Sequence, residues 1–192
     1  MTPEDVLKVA EEGKRAGCKE ALFSLGDQPE RAFPEAREFL RQYGAKSTLD
    51  YLSAMTWMVL EEVGLLPHSN PGLMPAFSLR SLKTSNASVG LMLESASARL
   101  TGRGFAHRQA PDKIPRLRLL TIADAGKLNF AFTIGILVGI GETRQDRERL
   151  ALYPEFTRRR EFLDSPVRRR LDALAGPDGY ARSGGIHAGY DN

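Results

Sequence analysis

Residues 132–142 read FTIGILVGIGE, and this run constrains the fold more than any other part of the chain. It opens as a β-branched and aromatic apolar stretch, the pattern of a strand buried on both faces. It closes on Gly139 and Gly141 and then on an acid, Glu142. A strand that runs out into glycines lets backbone approach a ligand with no Cβ in the way. The carboxyl ends of strands are where α/β proteins gather their functional groups.

The rest of the chain repeats this theme. Thr2 is placed to cap a first helix, with Pro3 at its first position and Asp5 where a capping box takes an acid. That helix is expected to reach about Ala16 and to stop at Gly17. A strand at 20–25 (EALFSL) empties into Gly26-Asp27-Gln28-Pro29-Glu30. Helical patterns follow at 34–43 and 47–63, closed by Gly44 and Gly64. A short extended piece at 65–67 runs into the turn formers His68, Ser69, Asn70, Pro71 and Gly72. A helix at 75–82 precedes a strand at 89–93 (VGLML), which delivers Glu94. A helix at 115–125, stopped by Gly126, leads to the opening run.

Four strands separated by helices, with no hairpin signal, predict a parallel sheet or barrel. In such a fold Asp27, Glu30, His68, Asn70, Glu94 and Glu142 fall at or just past strand carboxyl ends, which share one face. A plainer reading stands beside this one, since loop residues are polar in most proteins. Beyond Arg144 no further strand of quality is predicted. Tyr153–Phe156 is short, 166–175 reads as a helix, and 176–192 is glycine-rich loop or disorder.

Composition closes off several classes. A net charge of +3 is too small to imply a nucleic-acid partner, and the arginine clusters at 158–160 and 168–170 are interleaved with acids, as on a solvated helix face. No apolar run approaches the roughly 20 residues that span a bilayer. The single cysteine, Cys18, rules out an internal disulfide framework and fits a reducing cytoplasm. Standing before a strand, it reads as a small buried residue.

Five segments appear in an order that resembles the radical S-adenosylmethionine (SAM) half of the FO synthase family: EALFSLGDQPE (20–30), LLPHSNPG (65–72), SVGLMLESASARL (88–100), PDK (111–113) and TIGILVGIGET (133–143). The resemblance spans residue 1 to about 150. It implies an α/β fold, a partial (β/α) radical-SAM, TIM-like barrel lacking its first and last strands, with residues 151–192 as the family's carboxyl-terminal segment. It implies a synthase that forms the deazaflavin chromophore from a tyrosine-derived hydroxybenzyl and ribityl-aminouracil adduct. The second radical SAM half, as a subunit or a fusion, is the implied partner.

The resemblance also implies roles for residues. Gly26, Asp27 and Glu30 would meet the SAM amino group through backbone acceptors, and Glu94 its ribose or amino-acid part. Arg118 would hold the SAM carboxylate. Val138 and Ile140 would lie against adenine while Glu142 orders the turn, and His68 and Asn70 would face the substrate. Without the resemblance, Glu94 and Arg118 read equally as a structural ion pair, His68 as a surface histidine, and the two glycines as a tight turn.

Two departures qualify this. The family's 4Fe-4S cluster is held by three thiolates spaced C-x-x-x-C-x-x-C, and these 192 residues contain one cysteine, on the amino side of a strand. After residue 150 the expected further strands are not legible. The expectation is therefore a family sequence missing its beginning and an internal block, inactive alone. The alternative is a cluster-free SAM-binding or relic module without catalysis.

Overall fold

The computed structural model describes residues 1–150, with side chains as far as Glu148. The expectations for 151–192, including both arginine clusters, lie outside the described residues. The described chain alternates α1 (Pro3–Arg15), β1 (Glu20–Ser24), α2 (Pro34–Gln42), α3 (Thr48–Met58), β2 (Leu66–Asn70), α4 (Ala76–Leu82), β3 (Ser88–Glu94), α5 (Pro115–Lys127), β4 (Phe132–Ile136) and α6 (Arg144–Leu150).

The four strands form one parallel sheet in the order β1-β2-β3-β4. The order never reverses, so the sheet has no switch point of the doubly wound kind. Successive parallel neighbours joined by crossovers of one hand place every helix on the same face, which is the arrangement of a (β/α) barrel segment.

Alternation along the strands divides the two faces. Phe23, Ser69, Val89, Leu91, Leu93 and Phe132 turn toward the helices, where Leu79, Leu82, Leu91 and Val89 have no exposed surface. Full burial of each such side chain stabilises the fold by roughly 1.5–3 kcal/mol. A smaller cluster of Ala10, Val59 and Leu65 seats α1. The opposite face carries Leu22, paired in register with His68, which is in turn paired with Ser88. Leu22 is 67% exposed. This open face corresponds to the interior of a closed barrel.

Local chemistry explains the ends of the elements. The Thr2 hydroxyl accepts from Asp5 N, and the Asp5 carboxylate accepts from Thr2 N, a complete capping box. Gly17, Gly44 and Gly64 adopt positive φ at the ends they close. One π turn, Val59–Val63, links α3 to Gly64. A buried polar knot locks the middle of the fold: Ser69 Oγ donates to Asn86 Oδ1 (2.6 Å), and Asn86 Nδ2 donates to Thr56 Oγ1 (3.1 Å) and to the Leu82 carbonyl (3.1 Å).

The structure departs from the sequence reading at four places. Strand β2 extends through Asn70, because pairing with β1 on one side and β3 on the other outweighs the turn preference of His68-Ser69-Asn70. Helix α5 passes through Gly126 to Lys127, and Asn129 (φ 48°) takes the left-handed position. Strand β4 ends at Ile136, so 137–143 is a loop. Cys18 is exposed, in the short connection from α1 to β1.

Candidate functional site

The carboxyl ends of the four strands form one rim, and side chains tie its loops to each other. After β1, Asp27 Oδ2 accepts from Leu73 N (2.7 Å) in the loop after β2, and Asp27 Oδ1 accepts from Gln28 Nε2 (3.1 Å). Gly72 permits this contact. Its φ is +83°, and an added Cβ would lie 2.6 Å from Asp27 Oδ2. Gly26 differs: it is exposed, its φ is not positive, and an added Cβ would meet nothing within 4 Å. Neither backbone conformation nor packing demands a glycine there.

Glu30 is engaged at the start of α3. Its carboxylate accepts from Thr48 N (3.2 Å) and Thr48 Oγ1 (2.6 Å), closing a helix end beside the Ser47 cap. His68 and Asn70 lie on the open face, two residues apart on β2. His68 Nδ1 is 2.6 Å from Ser88 Oγ and 3.7 Å from Glu20 Oε1. Its ring lies over Gly90, where a Cβ would approach Nε2 to 3.0 Å.

Glu94 ends β3 with φ +65°, a left-handed conformation that costs a non-glycine residue about 1–3 kcal/mol. Its carboxylate joins a cluster that the sequence did not reveal. Oε1 accepts from Lys113 Nζ, and Oε2 lies 3.0 Å from His107 Nε2. His107 comes from the loop after β3, and Lys113 from the PDK segment just before α5. Arg118 belongs to the same cluster but does not touch Glu94. Its Nε donates to the Asp112 carbonyl (2.8 Å), Nη2 to Asp112 Oδ2 (2.9 Å), and Nη1 to the Met92 carbonyl. The expected Glu94–Arg118 pair is thus two linked pairs, Glu94–Lys113 and Asp112–Arg118. The contacts from Glu94 span 13 and 19 residues through loops, so periodicity carried no signal for them. The appearance of PDK among the resembling segments was the one available pointer.

The loop after β4 is organised by two acids. Glu142 accepts from Gly139 N (2.9 and 3.0 Å), Ile140 N (2.9 Å) and Arg147 Nη1 (2.7 Å). The Gly139 backbone bond leads in holding its carboxyl down at about 2, with the Glu142 backbone and Arg147 adding to it. Asp146 accepts from Thr143 N (2.8 Å) and returns a bond from its own N to Thr143 Oγ1 (3.1 Å), a capping box for α6. The Thr143 backbone and then Arg99 hold the Asp146 carboxyl well below the ordinary range. Arg99 also donates to the Gly141 carbonyl (2.8 Å), joining the β3 loop to the β4 loop. Val138 is 66% exposed on this turn, and Ile140 is half-buried.

Opposite charges side by side at a strand end, with glycine loops on both flanks, suit an aminocarboxylate attached to a flat apolar group. The donor set does not suit an iron–sulfur cluster. Cys18 lies on the amino side of β1, away from this rim, and three thiolates are needed. Among the described residues no group of three or more His, Cys, Asp or Glu stands where it could hold a metal ion. Among the same residues no helix is long and apolar enough to cross a membrane.

Comparison with known proteins finds relatives for the chain. No family model matches the chain. The FO synthase of Nocardia farcinica is 51% identical over 148 residues, 77% of this chain and 17% of that protein. The FO synthase of Mycobacterium tuberculosis gives the same figures. The 7,8-didemethyl-8-hydroxy-5-deazariboflavin synthase of Methanopyrus kandleri is 45% identical over 147 residues, 77% of this chain and 44% of that protein. The chain thus spans less than half the length of these curated relatives. Among solved structures, methylornithine synthase superposes with a TM-score of 0.53 at 18% identity, over 77% of this chain and 39% of that one. That likeness shares the fold, and with the parallel sheet it describes a partial TIM-like barrel. At about half identity over three quarters of its length, the chain is homologous in sequence to part of the FO synthases.

Proposed function

We propose that this chain contributes the SAM-binding rim of a radical SAM synthase that forms the deazaflavin chromophore from a tyrosine-derived hydroxybenzyl and ribityl-aminouracil adduct. The observation that carries the reading is the placement of Glu94, in a left-handed conformation, on the same rim as Gly26 and the Gly139–Ile140 turn. When bound, SAM would supply the adenosyl group for radical chemistry. Gly26 and Asp27 would offer the loop to its amino end, Glu94 the carboxylate, and Val138 and Ile140 the apolar side for adenine. Glu142 holds that turn in shape. His68 and Asn70, on the open face, would meet the substrate. Glu30 serves this role only indirectly, by fixing α3.

The cluster that starts such chemistry must draw its thiolates from outside these 192 residues, and the same holds for the second radical SAM half. A reducing, cytoplasmic setting fits both. The single exposed cysteine favours a second reading, a SAM-binding module that performs no catalysis by itself. Anaerobic reconstitution of the full chain with iron and sulfide tests this. Substoichiometric iron and no SAM cleavage are expected. A full 4Fe-4S complement per chain, or turnover of SAM, would overturn the view that the chain lacks its own cluster.

A further inference from the structure

We infer that two copies of this chain close into one eight-stranded ring, the β4 edge of each copy seated against the β1 edge of the other. This does not depend on the ligand reading above. Its first ground is a pair of matched free edges. Among the described residues the sheet ends at β1 on one side and at β4 on the other. Lys19 O accepts from Leu66 N, and Leu25 N donates to Asn70 O, so the odd-numbered positions of β1 face β2. By alternation the N–H and C=O groups of Glu20, Leu22 and Ser24 point away from the sheet. On β4, Ala131 O accepts from Val89 N, and Leu137 N donates to Glu94 O. The outward groups there belong to Phe132, Ile134 and Ile136. The two edges thus agree in length and in alternation. Free edges of this kind are templates for a further strand.

The second ground is the groove along β1. It is apolar, measures about 670 Å³, and is lined by all five residues of that strand. Those residues come from both faces of the sheet, so the groove wraps the free edge. Val6 and Val9 of α1 and Phe39 of α2 also line it, and Leu22 and Val9 are exposed. A strand seated there would pair with β1 and place alternate side chains among these groups.

The third ground decides the occupant. Glu20 is the only charged residue lining the groove, so the entering strand must be apolar and without charge. Residues 130–138, FAFTIGILV, carry no charge. Ile136, Leu137 and Val138 are exposed beside the other free edge. All four strands run parallel, and a two-fold axis along the barrel axis keeps that direction at both seams. Two sheets of four strands give the eight that close a barrel. The rotation closes after two copies, so no strand edge remains to recruit a third.

Sedimentation of the full chain across a concentration series tests this. The wild-type chain is expected to reach twice the 21.2 kDa of one copy and to stop there. Leu22→Lys and Ile136→Lys put a charge into the seams at positions exposed in the single copy. Each should raise the dimer dissociation constant by roughly a hundredfold or more, with the thermal midpoint of the monomer unchanged. Mixed one to one, the two variants should form a dimer that neither forms alone. One seam of the mixed ring carries no substitution, and the other can be lost only once. Pairing abolished by Leu22→Lys but not by Ile136→Lys would mean that β1 meets β1, and would overturn the ring. A wild-type chain that stays monomeric through the series, or that grows beyond two copies, would overturn it as well, whatever the variants do.

Discussion

Two glycines on the same rim have opposite reasons for being glycine. Gly72 is fixed by the fold, through a φ of +83° and the Asp27 carboxylate 2.6 Å from any added Cβ. Gly72→Ala should lower stability by about 1–3 kcal/mol, visible as a lower thermal midpoint. Gly26 has no such constraint, so Gly26→Ala should melt like wild type and yet weaken adenosyl-ligand binding. Equal loss of stability in both variants would show that Gly26 is structural after all. Glu142 yields a pH prediction. Its carboxyl sits at about 2 against an ordinary 4.5, principally because Gly139 N donates to it. The folded protein holds this proton less tightly than the unfolded chain. The turn's contribution is therefore complete above about pH 4.5 and is lost as the pH falls through about 2. Amide NMR of Gly139 and Ile140 should titrate near the lower value, and a midpoint near 4.5 would mean that the carboxylate does not hold the turn.

Among the elements, the helices and three of the strands were legible in the sequence because local chemistry and tertiary packing agree. The Thr2–Asp5 capping box, Gly17 and Gly64 punctuate the chain as written. Strand β2 was read short because Ser69 and Asn70 prefer turns, and pairing with β1, and for Ser69 with β3 as well, makes them extended. Once β2 is extended, Ser69 points into the helix layer, and Asn86 is what satisfies it. Asn86→Ala would leave the buried Ser69 hydroxyl without its acceptor, while Thr56 keeps Ser53 and Ser85 and the Leu82 carbonyl keeps two backbone donors. A loss of about 1–3 kcal/mol in chemical denaturation is expected. A loss below about 1 kcal/mol would mean that the knot is not a unit. The candidate site was legible only where it follows strand ends. Glu94 and the 139–142 turn could be found that way. His107 and Lys113 could not, because their contacts with Glu94 are made between loops and leave no period in the sequence.

The whole molecule has a helix-covered face, an open face and a rim where four loops are cross-tied by Asp27, Arg118 and Arg99. The open face is the counterpart of a barrel interior, and the rim is the counterpart of a barrel mouth. An adenosyl ligand with an amino-acid end is expected to bind at this rim. Amide NMR of the full chain titrated with S-adenosylhomocysteine reads such binding residue by residue. The predicted result is saturable shifts at Gly26, Glu94, Gly139 and Ile140, with Cys18, Gly64 and Asn129 at the other ends of the strands unmoved. A folded chain whose spectrum does not respond, or responds only at Cys18, Gly64 and Asn129, would contradict it.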